Sequence, residues 1–109
     1  MPIANCIITP GCIDGSGNLI ELWAGESNLS SDHMTINIIT SSNQTGNKYK
    51  VMANLALPSI WSASDISALQ IGLAKALALY YSLALNEIHV ITTTVSSGFV
   101  VETGREITW

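Results

Sequence analysis

The sequence predicts an α+β fold: two β-α-β units joined into a four-stranded mixed sheet, with both helices on one face. Three observations carry this. The order strand, spacer, strand occurs twice along 109 residues. Both spacers place apolar residues at helical spacing. And only 11% of residues are charged while 48% are hydrophobic, against about a quarter charged in an ordinary soluble domain. The length is that of one domain, and no linker-like run of Pro, Gly or charge divides residues 1–109.

The first strand is read over Ile3–Thr9, where β-branched residues follow Pro2. Proline is tolerated as the first residue of a strand, so Pro2 has a plain structural reading. It also has a chemical one. If Met1 is removed, as processing normally does before proline, Pro2 carries a free secondary amine on the end of a rigid strand. If Met1 stays, that nitrogen is an amide and no base.

The first spacer, "GSGNLIELWAGESNLSS", sets Leu19, Ile20, Leu22 and Trp23 on one stripe before Gly25 interrupts it. A helix of about three turns is expected. Strands follow at Met34–Ser41 and Tyr49–Leu57, with "SSNQTGNK" as the turn between them. The second spacer opens with Ser62 and Asp65 in capping-box spacing, and Ile66, Leu69, Leu73, Leu77, Tyr80 and Ala84 then recur helically. Its other side is small or apolar, so burial on more than one side is expected. The fourth strand is Ile88–Val95. A hairpin of Phe99–Glu102 and Ile107–Trp109 closes the chain around Thr103-Gly104 and is expected to pair with another subunit's sheet edge.

The two halves also resemble each other directly. "IANCIITP" (Ile3–Pro10) parallels "MANLALP" (Met52–Pro58), and "HMTINIITSS" (His33–Ser42) parallels "EIHVITTTVSS" (Glu87–Ser97). Parallel strands need a crossover, here each helix, so both helices fall on one sheet face. The other face is then bare. Bare apolar surface together with the scarcity of charge predicts an obligate oligomer.

Several function classes are excluded as expectations. Net charge is −4, with Lys48, Lys50, Lys75 and Arg105 the only cations, so no basic patch is available for nucleic acid. "ISALQIGLAKALALYYSLAL" is long enough to span a bilayer, but Lys75 at its middle argues for a buried soluble helix and no membrane association. No signal peptide is visible. Cys6 and Cys12 lack zinc-type spacing and read as thiols in a reducing cytoplasm, and His33 and His89, read at corresponding strand positions, are too few for a metal site. Neither a metal nor a cofactor is expected. His89 is nonetheless kept as a group able to polarise a carbonyl.

Taken together, Pro2 before a first strand, two β-α-β units in this length and the need for oligomer packing resemble the tautomerase superfamily. The length is similar to that of its macrophage migration inhibitory factor branch; the 4-oxalocrotonate tautomerase (4-OT) branch carries one unit per chain. The resemblance implies a homotrimer and keto–enol isomerisation of a small keto or enol acid, with the Pro2 amine as general base. It also implies that a neighbour-facing aromatic position falls on His89 and the family asparagine on Ile91. The family's Lys or Arg after the first strand or first helix is missing: "TPGCIDGSG" and "AGESNLSSD" carry Asp14, Glu26 and Asp32 instead. The substitutes for a small anionic or carbonyl substrate are Lys48, Lys50 and Arg105. The competing readings are a non-catalytic trimeric binding or structural module that retains the fold, and a different α+β sandwich with an ordinary Pro2.

Overall fold

The computed structural model describes residues 2–12 and 14–109. Its elements are β1 (Ile3–Ile8), α1 (Leu19–Ser27), β2 (Thr35–Thr40), β3 (Val51–Pro58), α2 (Ala63–Tyr81), a short 3-10 turn (Leu85–Glu87), β4 (Ile88–Val95), β5 (Val100–Glu102) and β6 (Arg105–Ile107). The sheet order is β2-β1-β3-β4, with β1–β2 and β3–β4 parallel and β1–β3 antiparallel. This is the predicted pair of β-α-β units in a mixed four-stranded sheet. The segment repeat has a direct spatial meaning: Asn5 of "IAN" lies opposite Asn54 of "MAN". An approximate two-fold axis through that pair exchanges the two units.

Local chemistry sets the helix ends. Asn18 caps α1 by accepting from the Glu21 amide at 3.2 Å, and Ser62 caps α2 by accepting from the Asp65 amide at 3.2 Å. Asn28 and Ser82 end the helices in the left-handed region, at φ 56° and 54°. Ala84, counted on the helical stripe in the sequence, therefore falls beyond the helix. The helix α1 runs through Gly25 without a break, since that face is open to solvent.

Alternate residues of the strands make the core. Ala4 and Cys6 of β1 and Val51, Ala53, Leu55 and Leu57 of β3 are buried beneath Trp23 of α1 and Leu69, Leu73, Ala76 and Leu77 of α2. Trp23 is fully buried, and its indole N–H donates to the Leu69 carbonyl at 3.0 Å, so the largest core side chain leaves no polar atom unpaired. α2 is buried on two sides, against the sheet and against α1 at Gly72, and is open on its outer side, where Ile71 and Leu79 are 52% and 58% exposed.

The opposite sheet face has no cover. It presents the rows Thr35–Ile3–Ala56–Thr93, Asn37–Asn5–Asn54–Ile91 and Ile39–Ile7–Met52–His89. None of these residues is Asp, Glu, Lys or Arg. The C-terminal hairpin differs from its expected bounds. Thr103 and Gly104 both take positive φ, 51° and 75°, which makes a two-residue turn. The second strand therefore starts at Arg105 and not at Ile107. Trp109 folds back, its indole N–H donating to Ser59 Oγ at 3.0 Å and its backbone N–H to Ser97 Oγ at 2.8 Å. Among the described residues, no helix is long and apolar enough to cross a membrane.

The two helices meet at Gly72. A Cβ there would stand 2.9 Å from the backbone nitrogen of Ser27 and press on the Ser27 hydroxyl, itself buried without a partner. Gly72→Ala is expected to destabilise the fold by about 1–3 kcal/mol through overpacking, despite the gain of up to about 1 kcal/mol in helix propensity. Urea denaturation checks this; a variant as stable as the parent would mean that the helices are less tightly apposed.

Candidate functional site

Pro2 is buried immediately before β1. Its carbonyl accepts from the Thr35 amide at 3.0 Å. The pairing of Ile3 with Ala56 and with Thr35 places Pro2 beside the end of β3 and the start of β2. The reading of Met1 falls outside the described residues.

The remaining sequence candidates gather elsewhere. A cleft of about 510 Å³ lies past the other end of β1, between the loop Thr9–Gly11, the folded loop Ser41–Lys50 and Asn86–Glu87. Lys48 and Lys50 both line it. The backbone of Lys50 is held on both sides: its carbonyl accepts from Thr9 N–H at 3.0 Å and from Cys12 Sγ at 3.3 Å, and its N–H donates to Glu87 O at 2.9 Å. Its ammonium reaches over Gly11, 3.2 Å from where a Cβ would stand, so the missing side chain of Gly11 opens its path. Gln44 shapes the loop by accepting from the Tyr49 amide at 2.8 Å, and Asn47 donates to the Tyr49 hydroxyl at 3.2 Å.

His89 belongs to this end too. It pairs with Met52 near the start of β4, and its ring lies 5.0 Å from that of Tyr49, tilted by 48°. Its Nδ1 is buried with no partner, so that nitrogen still has an unmet hydrogen bond to make. The expected correspondence of the two histidines does not hold. His33 lies in the turn before β2, and the two-fold carries His89 onto Thr35, because Asn37 pairs with Asn5 as Ile91 pairs with Asn54. Arg105 stands alone, exposed next to the hairpin tip.

The structure thus puts Lys48 and Lys50 in one cleft, with His89 packed against Tyr49 of its lining, and separates all three from Pro2. A strand rises about 3.3 Å per residue, so Pro2 and the cleft lie on the order of 20 Å apart in one chain. Tyr49 and the polar wall Ser41–Gln44 were not singled out in the sequence. Tyr49 reads there as the start of a strand and Ser41–Gln44 as the end of a strand running into a turn, and only the folding of the loop onto β3 reveals them as lining.

No protein-family description and no curated protein matches this sequence. Solved structures do. The wild-type asymmetric trimer of the R7 fused 4-OT superposes with a TM-score of 0.75 at 12% identity, covering 95% of this chain and 94% of that one. The macrophage migration inhibitory factor of Trichinella spiralis gives 0.72 at 11% identity, covering 96% and 99%. N1, a member of the cis-3-chloroacrylic acid dehalogenase family, gives 0.69 at 13%, covering 96% and 82%. The chain has the tautomerase-superfamily fold. Both β-α-β units of that fold are present, and in this tautomerase fold Pro2 heads the first strand of the first unit. The two-fold that pairs Asn5 with Asn54 carries Pro2 onto Val51. The cleft end is therefore the second unit's counterpart of the Pro2 end, with Lys48 and Lys50 lining it.

The thiols divide cleanly. Burial pushes Cys6 up to about 12, so it holds almost no thiolate at neutral pH and is no nucleophile. Burial first, with neighbouring ionisable groups adding to it, pushes Tyr81 to about 12 as well. Both groups ionise more readily in the unfolded chain, from ordinary values of 9.0 and 10.0. Their contribution to stability is thus complete below about pH 9 and is lost as pH rises toward about 12. Denaturation midpoints are expected to fall across that window, and the Cys6→Ala/Tyr81→Phe variant to fall less steeply; equal slopes would contradict this origin.

Proposed function

We propose that the chain forms a closed ring of three copies and isomerises a small keto or enol acid, with Pro2 of one copy and the Lys48/Lys50/His89 cleft of the next sharing each site. The observation that carries this is the separation of base and cations to opposite ends of β1. A head-to-tail ring joins unlike surfaces of neighbouring copies, so it is the arrangement that brings two such ends together. The trimeric fused 4-OT and the dehalogenase-family neighbour, named for a small unsaturated acid, support the assembly and the substrate class.

The chemistry follows from the groups. With Met1 removed, Pro2 carries a secondary amine. An α-amino group titrates near 8, and both burial and a neighbouring ammonium disfavour its charged form. The neutral amine takes the proton α to the carbonyl and returns it to the other end of the enol system. Lys48 and Lys50 hold the carboxylate, and the same positive charge keeps the amine neutral until substrate arrives. His89, with its unpaired nitrogen, is placed to bond the carbonyl oxygen. Arg105 is a further anion-binding candidate through the hairpin. The protein works in an aqueous, reducing cytoplasm, where both thiols stay free.

Intact mass and steady-state kinetics test this on a panel of enolisable keto acids such as phenylpyruvate. Loss of Met1 and measurable enolisation are expected. Pro2→Ala is expected to lower kcat/KM about a hundredfold or more, whereas Lys48→Ala or Lys50→Ala raises KM more than it lowers kcat. A retained Met1, or wild-type rates equal to buffer, would leave the non-catalytic module as the function of this fold.

A further inference from the structure

The second row of the uncovered face is the anomaly of this molecule. Asn37, Asn5 and Asn54 stand side by side across three strands, all exposed, with Asn37 Nδ2 donating to Asn5 Oδ1 at 2.8 Å. The rows on either side carry Ile3, Ile7, Ile39, Met52 and Ala56. We infer that these three asparagines form a polar layer inside the interface between copies of this chain, and that the layer fixes how many copies assemble and in what register. The inference rests on the three-copy ring proposed above.

The face bears no formal charge, and Ile39 and Ile91 are each 49% exposed on it. A contiguous apolar surface of this kind is a contact surface. A contact surface without a specific device is poorly defined, because isoleucine and methionine pack in many relative positions. An amide behaves differently. It has two N–H donors and an oxygen with two lone pairs. The Asn37–Asn5 bond uses one donor and one acceptor site of the row and leaves the rest open. Buried against an apolar surface, each open group loses its hydration with nothing in return.

The amides therefore need a partner that both donates and accepts. Around the axis of a three-copy ring the same row of each copy can meet its equivalents, and another copy of that row is such a partner, directly or through a trapped water. The spacing makes the match selective. Rows on one face are two residues apart, about 7 Å. A copy displaced by one row would set its three amides against Thr35, Ile3 and Ala56, where Thr35 alone offers a hydroxyl, or against Ile39, Ile7 and Met52, which offer no N–H or O–H donor. A single buried asparagine fixes register and copy number in coiled coils by the same physics, at some cost in stability.

Native mass spectrometry and sedimentation velocity test this on wild type, Asn5→Val/Asn54→Val and Asn54→Asp. Wild type comes first: a monomer overturns the ring and the layer together. Given a trimeric wild type, the double valine variant is expected to melt no lower than wild type yet to spread over several oligomer sizes. A single trimeric species would overturn the layer and leave the ring standing. Asn54→Asp decides the matter if the valine variant does not fold. At about pH 8 its carboxylate is expected to weaken assembly about tenfold or more, with recovery below its ordinary pKa of about 3.9. Assembly as tight as wild type at both pH values would place the row outside the interface.

Discussion

The antiparallel pairing of β1 with β3 is the contact on which the rest of this molecule depends. Each β-α-β unit alone is two parallel strands and a helix, too little to enclose a core. Pairing Asn5 with Asn54 doubles the sheet and brings α1 and α2 together over Ala4, Cys6, Ala53 and Leu55. The antiparallel sense also has a chemical consequence. It sends the start of the first unit to one end of the sheet and the start of the second to the other. The two ends are thus equivalent in backbone and different in chemistry, one headed by Pro2 and the other lined by Lys48 and Lys50.

The same pairing explains the composition. With both helices on one face, the charged side chains lie on helices, loops and the terminal hairpin, and the other face has none. A monomer of this design would leave Ile39, Ile91 and the amide row to water, together with Phe99 and Val101 of the hairpin, which are 78% and 65% exposed. In the proposed ring, assembly completes the second layer of the fold.

Much of this was legible in the sequence, and the reasons are local. Strand–helix–strand order, the Ser62 cap and the Ala-Asn repeat depend on side-chain periodicity and on caps, which a single chain displays. The turn at Thr103-Gly104 was legible, but its closure in two residues, which starts the second strand at Arg105, was not, because Thr103 takes a positive φ that threonine rarely adopts. The grouping of Lys48, Lys50 and His89 was partly legible, as candidates without a location. Their joint position depends on how the loop Ser41–Lys50 folds, and no periodicity encodes that. The distance of this group from Pro2 was not legible at all, since strand polarity, not residue type, decides it.

The central claim is that the base and the cations of one site come from different copies. Mixed assemblies test it most directly. Pro2→Ala chains and Lys48→Ala/Lys50→Ala chains are unfolded together in equal amounts, refolded and assayed, with each variant alone as control. If sites are shared head to tail, random mixing pairs an intact Pro2 with an intact lysine cleft at about one site in four. Activity should then return to about a quarter of wild type from two nearly inactive variants. A mixture no more active than the average of its two components, with mixed trimers present by mass, would contradict the account.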